Sequence, residues 1–357
     1  MALACWQAPW PRRIGVACRD PATVYSGPAA AISEARICSS AADAMALLIL
    51  RRILATFVVM AVVAVFVFGM LHVSPGDPAA IIAGDLATVA DIERIRERLG
   101  LNLPIHQQFW RWITNVLSGD LGQSIFSDLP VAELIRQRIE PTLALTTTTI
   151  IFSVVVAVPL GILAAWKAGS VADRAVMAFA VLGFSMPVFV FAYILIWVFA
   201  AQLRLLPVMG YVPIGQDVGG FFRSVAMPTL ALGVTYIALI ARITRASMLE
   251  AIHQDYIRTA FAKGAPIGSI LFRHALRNAS VPIVTTIGIG IALLIGGVVV
   301  TESVFAIPGL GRLTVDAILR RDYPVIQGVI LLFSGVYVLI NLIIDLTYTI
   351  LDPRIRY

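Results

Sequence analysis

The chain has 357 residues, 59% hydrophobic and only 13% charged, with a formal net charge of +6 and a mean hydropathy of +0.89. Soluble domains carry about 25% charged residues, so this composition lacks the polar surface a dissolved protein needs and places the chain in a membrane. The positive residues gather beside apolar runs, which reads as topology signalling rather than a nucleic-acid surface.

Residues 1–44 differ from the rest. They hold all three cysteines, Cys5, Cys18 and Cys38, together with Pro9, Pro11, Pro21 and Pro28, and show neither an apolar period nor a signal-peptide pattern. They are expected to be a disordered tail or the product of an upstream start codon, with Met45 opening the membrane protein. The remaining body has no cysteine, and His72, His106, His253 and His274 show no ligand spacing, so no metal or disulfide framework is expected.

Six apolar runs follow, near 53–72, 143–166, 175–201, 225–245, 281–303 and 325–350, each close to the roughly 20 residues that cross hydrocarbon. Arg51 and Arg52 precede the first and set the N-terminus in the cytoplasm; alternation then puts Lys167 and Arg174, the cluster from Arg242 to Arg277, and Arg354 with Arg356 on the same side. The expected fold is an all-α integral membrane protein with six transmembrane helices and both termini cytoplasmic.

The segment after the first run, 73–141, carries three helix patterns. Thr88 caps one with Ile92, Ile95 and Leu99 on a face and Gly100 at its end; Pro104 opens a second that Gly119 stops; Pro130 opens a third. This predicts an external helical lid rather than a linker.

Between the fourth and fifth runs, 246–280 forms a polar loop. Leu249, Ile252, Tyr256 and Ala260 recur at intervals of three, four and four, with Asp255, Arg258 and Ala262 opposite; Lys263 follows, and Gly264 and Pro266 end the helix. A second short helix is expected through Ile267, Ile270 and Leu271. Such a pair either lies on a lipid interface or fills a groove on a partner, and spacing alone favours neither. In the fifth run Gly288, Ala292 and Gly296 fall four apart, which allows two helix backbones to approach closely in lipid, as at a contact with a second chain. Glu302 and Asp345 are ionisable groups near the ends of runs; both are expected to be paired structurally.

The chain has two lysines, Lys167 after Trp166 and Lys263 after Ala262, so neither belongs to the Gly-Lys-Ser/Thr of a phosphate-binding loop. Any ATP that drives the protein is hydrolysed by another chain. A stand-alone secondary transporter would show charged sites mid-span, which the run centres lack. A membrane enzyme would need a nucleophile–base pair, and Thr146 to Thr149 have no such partner in sequence.

The stretch "SMLEAIHQDYIRTAFAKGAPIGSILFRHALRNASVP" resembles the cytoplasmic coupling loop of ABC importer inner-membrane permeases, narrowly the dipeptide/oligopeptide/nickel branch. The broad Glu-Ala-Ala, three residues, Gly pattern reads here Arg258-Thr259-Ala260 with Gly264. "SPGDPA", "LGLNLPIHQQFWRW", "GDLGQS", "FAIPGLGRL", "RDYPVIQG" and "DPRIR" agree, so the resemblance covers about 45–357. It implies a non-catalytic transport subunit without cofactors. Its partners would be a second homologous permease, two cytoplasmic ATPases that dock on the coupling helix, and a periplasmic or surface solute-binding protein. The docking residues would be Leu249, Ile252, Tyr256, Ala260, Lys263 and Gly264. Dipeptides, longer peptides, nickel chelates and glutathione all remain open as solutes.

Overall fold

The computed structural model describes residues 54–70, 72, 78–83 and 88–351. The tail 1–44 and Arg51, Arg52, Arg354 and Arg356 lie outside them. Every element among the described residues is helical; there is no strand, and one isolated bridge pairs Gln123 with Pro130.

Helix α1, Leu54–Met70, is apolar throughout. It is followed by α2 (Pro78–Ala83), α3 (Val89–Leu99) and α4 (Ile105–Leu117). Gly100 and Gly119 take φ values of +69° and +86° just past α3 and α4, a conformation that costs other residues a Cβ clash. The ring of α4's Phe109 meets Phe68 of α1 at 5.3 Å, and Trp112 meets it at 5.7 Å. Helix α4 thus rests against the end of α1.

The helix expected to open at Pro130 is not separate. Pro130 caps α5, Val131–Trp166, a single helix of 36 residues that absorbs the second apolar run. Pro141 lies inside it. An internal proline costs about 3 kcal/mol locally, but Val131, Ile135, Pro141, Thr142 and Leu145 are all buried along this stretch, and packing outweighs the missing hydrogen bond.

The third run is not one rod either. Helix α6 (Val171–Ser185) and α7 (Val188–Leu195), which continues as a π-helical turn to Gln202, meet at a bend of 103°. Met186 is extended, with φ −88° and ψ 126°, because the ring of Pro187 excludes the α conformation from the residue before it.

Helix α8 (Val218–Ile252) is the central element: 72% of its apolar window is buried, against 11% for α12 (Tyr323–Leu351), which lies at the periphery. Between them come α9 (Asp255–Ala262), a π-helical stretch Ser269–Ala275 that runs into α10 (Leu276–Val304), and α11 (Leu310–Arg320). The second short helix expected through Ile267, Ile270 and Leu271 is therefore not separate but the π-helical lead into α10. Helices α5, α8, α10 with its π-helical start, and α12 are each long and apolar enough to cross a membrane, and the bent pair makes a fifth crossing if it is one span. Helix α1 is apolar but shorter.

The most extensive helix packing is between α5 and α8. Along α5, Thr149, Ser153, Ala157, Gly161 and Ala165 recur every four residues and are all buried. A Cβ added at Gly161 would lie 2.6 Å from the Thr244 Cβ and 2.8 Å from the Ala241 carbonyl oxygen. Small side chains let backbones pack this tightly where lipid supplies no hydrophobic drive. The Thr148 and Thr229 hydroxyls meet at 3.0 Å across the same seam.

Candidate functional site

Two clusters of polar and packed residues mark the two ends of the bundle. At the first, α8 ends at Ile252 with His253 as its C-cap, and Gln254 is extended (φ −75°, ψ 149°) before α9 begins at Asp255. The sequence pattern through Leu249, Ile252, Tyr256 and Ala260 thus runs across two helices, not one, and the expected single face is broken at Gln254. Ile257 is 1% exposed and joins Met248, Ala251, Ile270 and Leu271 in a core, with Leu249, Ile252 and Ala260 half-buried against it. Tyr256, Phe261, Ala262, Lys263 and Gly264 are exposed, as are Asp255 and Arg258. Gly264 turns the chain at φ +73° and its N–H closes on the Phe261 carbonyl at 2.9 Å.

The same end is tied to α6 by an ion pair. Arg245 Nε and Nη2 donate to the two Asp173 oxygens at 2.5 and 2.7 Å, and the Gly169 N–H donates to Asp173 at 2.9 Å. The Asp173 side chain is buried while Arg245 keeps partial exposure. Bidentate geometry fixes where α6 starts relative to α8. From Lys167 to Arg174 and from Arg242 to Arg277 the chain sets eight arginines and lysines against three carboxylates.

The opposite end is held by buried carboxylates. Glu302, near the end of α10, is fully buried. It accepts from the Thr142 hydroxyl at 2.5 Å and the Arg312 N–H at 3.0 Å, and the Gly311 N–H also donates to it. The Thr142 oxygen in turn accepts the Leu310 N–H at 2.8 Å. A carboxylate thus serves the free N–H groups that open α11, and α5, α10 and α11 meet on one side chain. Gly309 and Gly311 make room for it: a Cβ at Gly309 would overlap the carboxylate, and one at Gly311 would lie 2.6 Å from the Val299 Cα. Glu302 is paired, as expected, though by backbone and a threonine rather than by water or arginine at a surface. Nearby, Asp322 accepts from the Ser124 hydroxyl at 2.6 Å and the Ile125 N–H at 3.2 Å, fastening the segment before α5 to the α11–α12 turn. The Tyr211 hydroxyl donates to Glu140 at 2.8 Å; burial and that carboxylate push the phenol above its ordinary range.

The stripe read from the fifth run divides. Gly288 faces Ile344 of α12 within the same chain, Ala292 is half-buried, and Gly296 is exposed with open space beside it. Asp345 lies on α12, its side chain outside the described set. Sequence reasoning missed the α5 stripe, although its spacing of four was as plain as that of Gly288 to Gly296. It also missed the Met186–Pro187 bend and the role of the Pro308-Gly309-Leu310-Gly311 run in housing Glu302. No group of three or more metal-ligating side chains forms among the described residues.

Residues 157–357 match the family described as "Binding-protein-dependent transport system inner membrane component", and residues 45–146 match its N-terminal component. The chain belongs to this family of ABC importer permeases. It is 56% identical over 313 residues to a "probable peptide ABC transporter permease protein", y4tP of Sinorhizobium fredii, covering 88% of this chain and all of the relative. It is 43% identical over 309 residues to the glutathione transport system permease protein GsiC of Escherichia coli, covering 87% and 98%. The fold resembles an inward-facing structure of the MetNI methionine ABC transporter, with TM-score 0.52 and 21% identity over 61% of this chain and 96% of that one. The permease is thus a multi-pass inner-membrane subunit of an importer, a transport component rather than an enzyme. It works in a complex with an ATPase, on separate subunits, and a binding protein.

Proposed function

We propose that this permease conducts peptides or peptide-like solutes inward, pairing with a second homologous permease to enclose the pathway. The full-length match at 56% identity to a permease named for peptides carries the reading. The 43% match to a glutathione permease fits the same class, since glutathione is itself a short peptide. Two ATPase subunits dock at the α9 end and a periplasmic or surface solute-binding protein at the α11 end. The excess of arginine and lysine at the α9 end supports that orientation, with both termini cytoplasmic and six crossings formed by α1, α5, α6–α7, α8, α10 and α12.

The α9 docking surface consists of Tyr256, Phe261, Lys263 and Gly264, which are exposed. Leu249, Ile252 and Ala260 hold that surface from beneath, through their packing on the chain's own core. The residues 73–141 form the external lid. Reconstitution into liposomes with the second permease, both ATPases and the binding protein is the test. Uptake of a labelled dipeptide or of glutathione requires both ATP and the binding protein. Uptake by this chain alone, driven by an ion gradient, would replace the reading with a stand-alone transporter.

A further inference from the structure

Helix α4 carries an apolar arc wider than α1 covers. Its Phe109 and Trp112 pack on Phe68, which is buried beside the exposed Val62, Val65 and Phe66 of the same helix. Next to that contact the arc stays open. Trp110 and Leu117 are seven positions apart, within about 20° of each other around the helix axis, and are 66% and 81% exposed. Ile113, in the same sector, is half-buried. Among the described residues the Trp110 ring meets one other, that of its chain neighbour Phe109, at 6.1 Å. The far side of α4 is polar and exposed, with Gln107, Arg111 and Thr114. The remaining flank is polar and engaged: Gln108 gives its amide to the Leu101 and Leu103 carbonyls at 3.0 and 2.8 Å and meets His72 Nε2 at 3.2 Å. The helix thus has a water side, a side packed on α1 and a bare apolar side.

We infer that α4 is an interfacial helix whose bare side is covered by the outer leaflet of the bilayer. Its depth follows from α1. The inference rests on the orientation proposed above, in which Arg51 and Arg52 stand at the cytoplasmic boundary. Phe68 comes 16 residues after Arg52, which is about 24 Å along a helix, whereas the hydrocarbon core is about 30 Å thick. A helix packed on Phe68 is therefore held at the outer edge of the hydrocarbon rather than above it, next to the exposed apolar face of α1. Trp110, Ile113 and Leu117 then enter the boundary between headgroups and acyl chains, the level at which tryptophan settles, while Gln107, Arg111 and Thr114 face water, the arrangement of a helix lying in the membrane plane. A solute-binding protein that docks and departs would leave Trp110 and Leu117 bare in water between visits; lipid covers them throughout. The outer leaflet so sets the height of α4 over the end of α1.

Spin labels at single cysteines test the placement. Trp110→Cys, Leu117→Cys, Thr114→Cys and Val62→Cys are made one at a time in a chain carrying Cys5→Ser, Cys18→Ser and Cys38→Ser. Each is labelled with a nitroxide, assembled with its partner subunits and reconstituted into phosphatidylcholine vesicles; co-purification of the partners reports folding. Power saturation compares collisions with oxygen, which concentrates in lipid, against those with a water-soluble nickel chelate. The ratio of oxygen to nickel collisions is expected to be several-fold higher at 110 and 117 than at 114, and to approach that at 62 on α1. Leu117→Cys keeps Trp110 in place, so the result does not depend on removing that side chain. A preference for nickel at 110 and 117, with the label at 62 still in lipid, overturns the inference and leaves the transport reading standing. Shielding of 110 and 117 from both reagents, whether constant or on adding the binding protein, assigns the face to a protein and overturns it too. A label at 62 that prefers nickel would overturn the proposed orientation together with the inference.

Discussion

Removing the Glu302 side chain tests whether one carboxylate organises the α11 end. In Glu302→Ala, the buried Gly311 and Arg312 N–H groups lose their acceptor, and the Thr142 hydroxyl loses its partner. A buried donor left unpaired costs about 1–3 kcal/mol, so two backbone groups together cost about 3 kcal/mol even if α11 shifts to recover part of the loss. For a chain of this size about 1 kcal/mol moves the melting temperature by roughly 2–4 °C, which puts the expected fall at about 6–12 °C. Glu302→Gln keeps one acceptor but turns an amide N–H₂ toward backbone donors, and falls about half as far. Gly309→Ala, whose Cβ would overlap the carboxylate, falls as far as Glu302→Ala although it removes no hydrogen-bonding side chain. Thermal unfolding of the purified permease, followed by intrinsic fluorescence, provides the measurement. A Glu302→Ala protein that melts within about 2 °C of wild type would refute the idea that this carboxylate holds α5, α10 and α11 together.

At α9, Phe261→Asp charges an exposed residue and is expected to lose ATPase co-purification without changing the melting temperature. Ala260→Asp instead places a charge against the chain's own core and is expected to lower both, while Ala262→Asp should leave both near wild type; loss with Ala262→Asp alone would move the docking face to the other side of the helix. Gly161→Ala is expected to reduce the yield of folded permease severalfold, because its Cβ meets the Ala241 backbone, whereas Gly296→Ala, which points into open space, is expected to fold normally; equal yields would show that α5 and α8 can separate at little cost. Asp173→Asn removes the charge opposite Arg245 in a largely buried pair and is expected to slow transport more than Arg258→Gln, which breaks only an exposed contact with Asp255 at 3.7 Å; uptake assays on the reconstituted complex compare the two.

The helical membrane class and the place of the polar loop were legible because each rests on composition and on turns that obey local rules. Gly100, Gly119 and Gly264 adopt the left-handed turn that a helix-ending glycine predicts. What escaped was set by partners far away in sequence. Ala260 reads as one more apolar position on an exposed arc until Ile257 and Ile270 show that the inward side belongs to this chain. Glu302 reads as an interfacial acid until Thr142, 160 residues earlier, is found against it. The merging of the Pro130 helix with the second run depends on burial that no window of sequence carries. The Met186 bend is the exception: Met-Pro inside an apolar run is a local signal, and its restriction on the preceding residue was available from the start.

That bend gives the bundle a front and a back. A helix that stops inside an apolar run leaves its last carbonyls without ladder partners, and the next half-helix leaves its first N–H groups likewise. Hydrocarbon cannot accept such groups, so they are tolerated only against protein or a water-filled space. Ser185, Met186 and Pro187 are exposed on the single chain. The side of the permease that carries them is therefore expected to face protein or water rather than lipid, while exposed apolar side chains line α1 and α12.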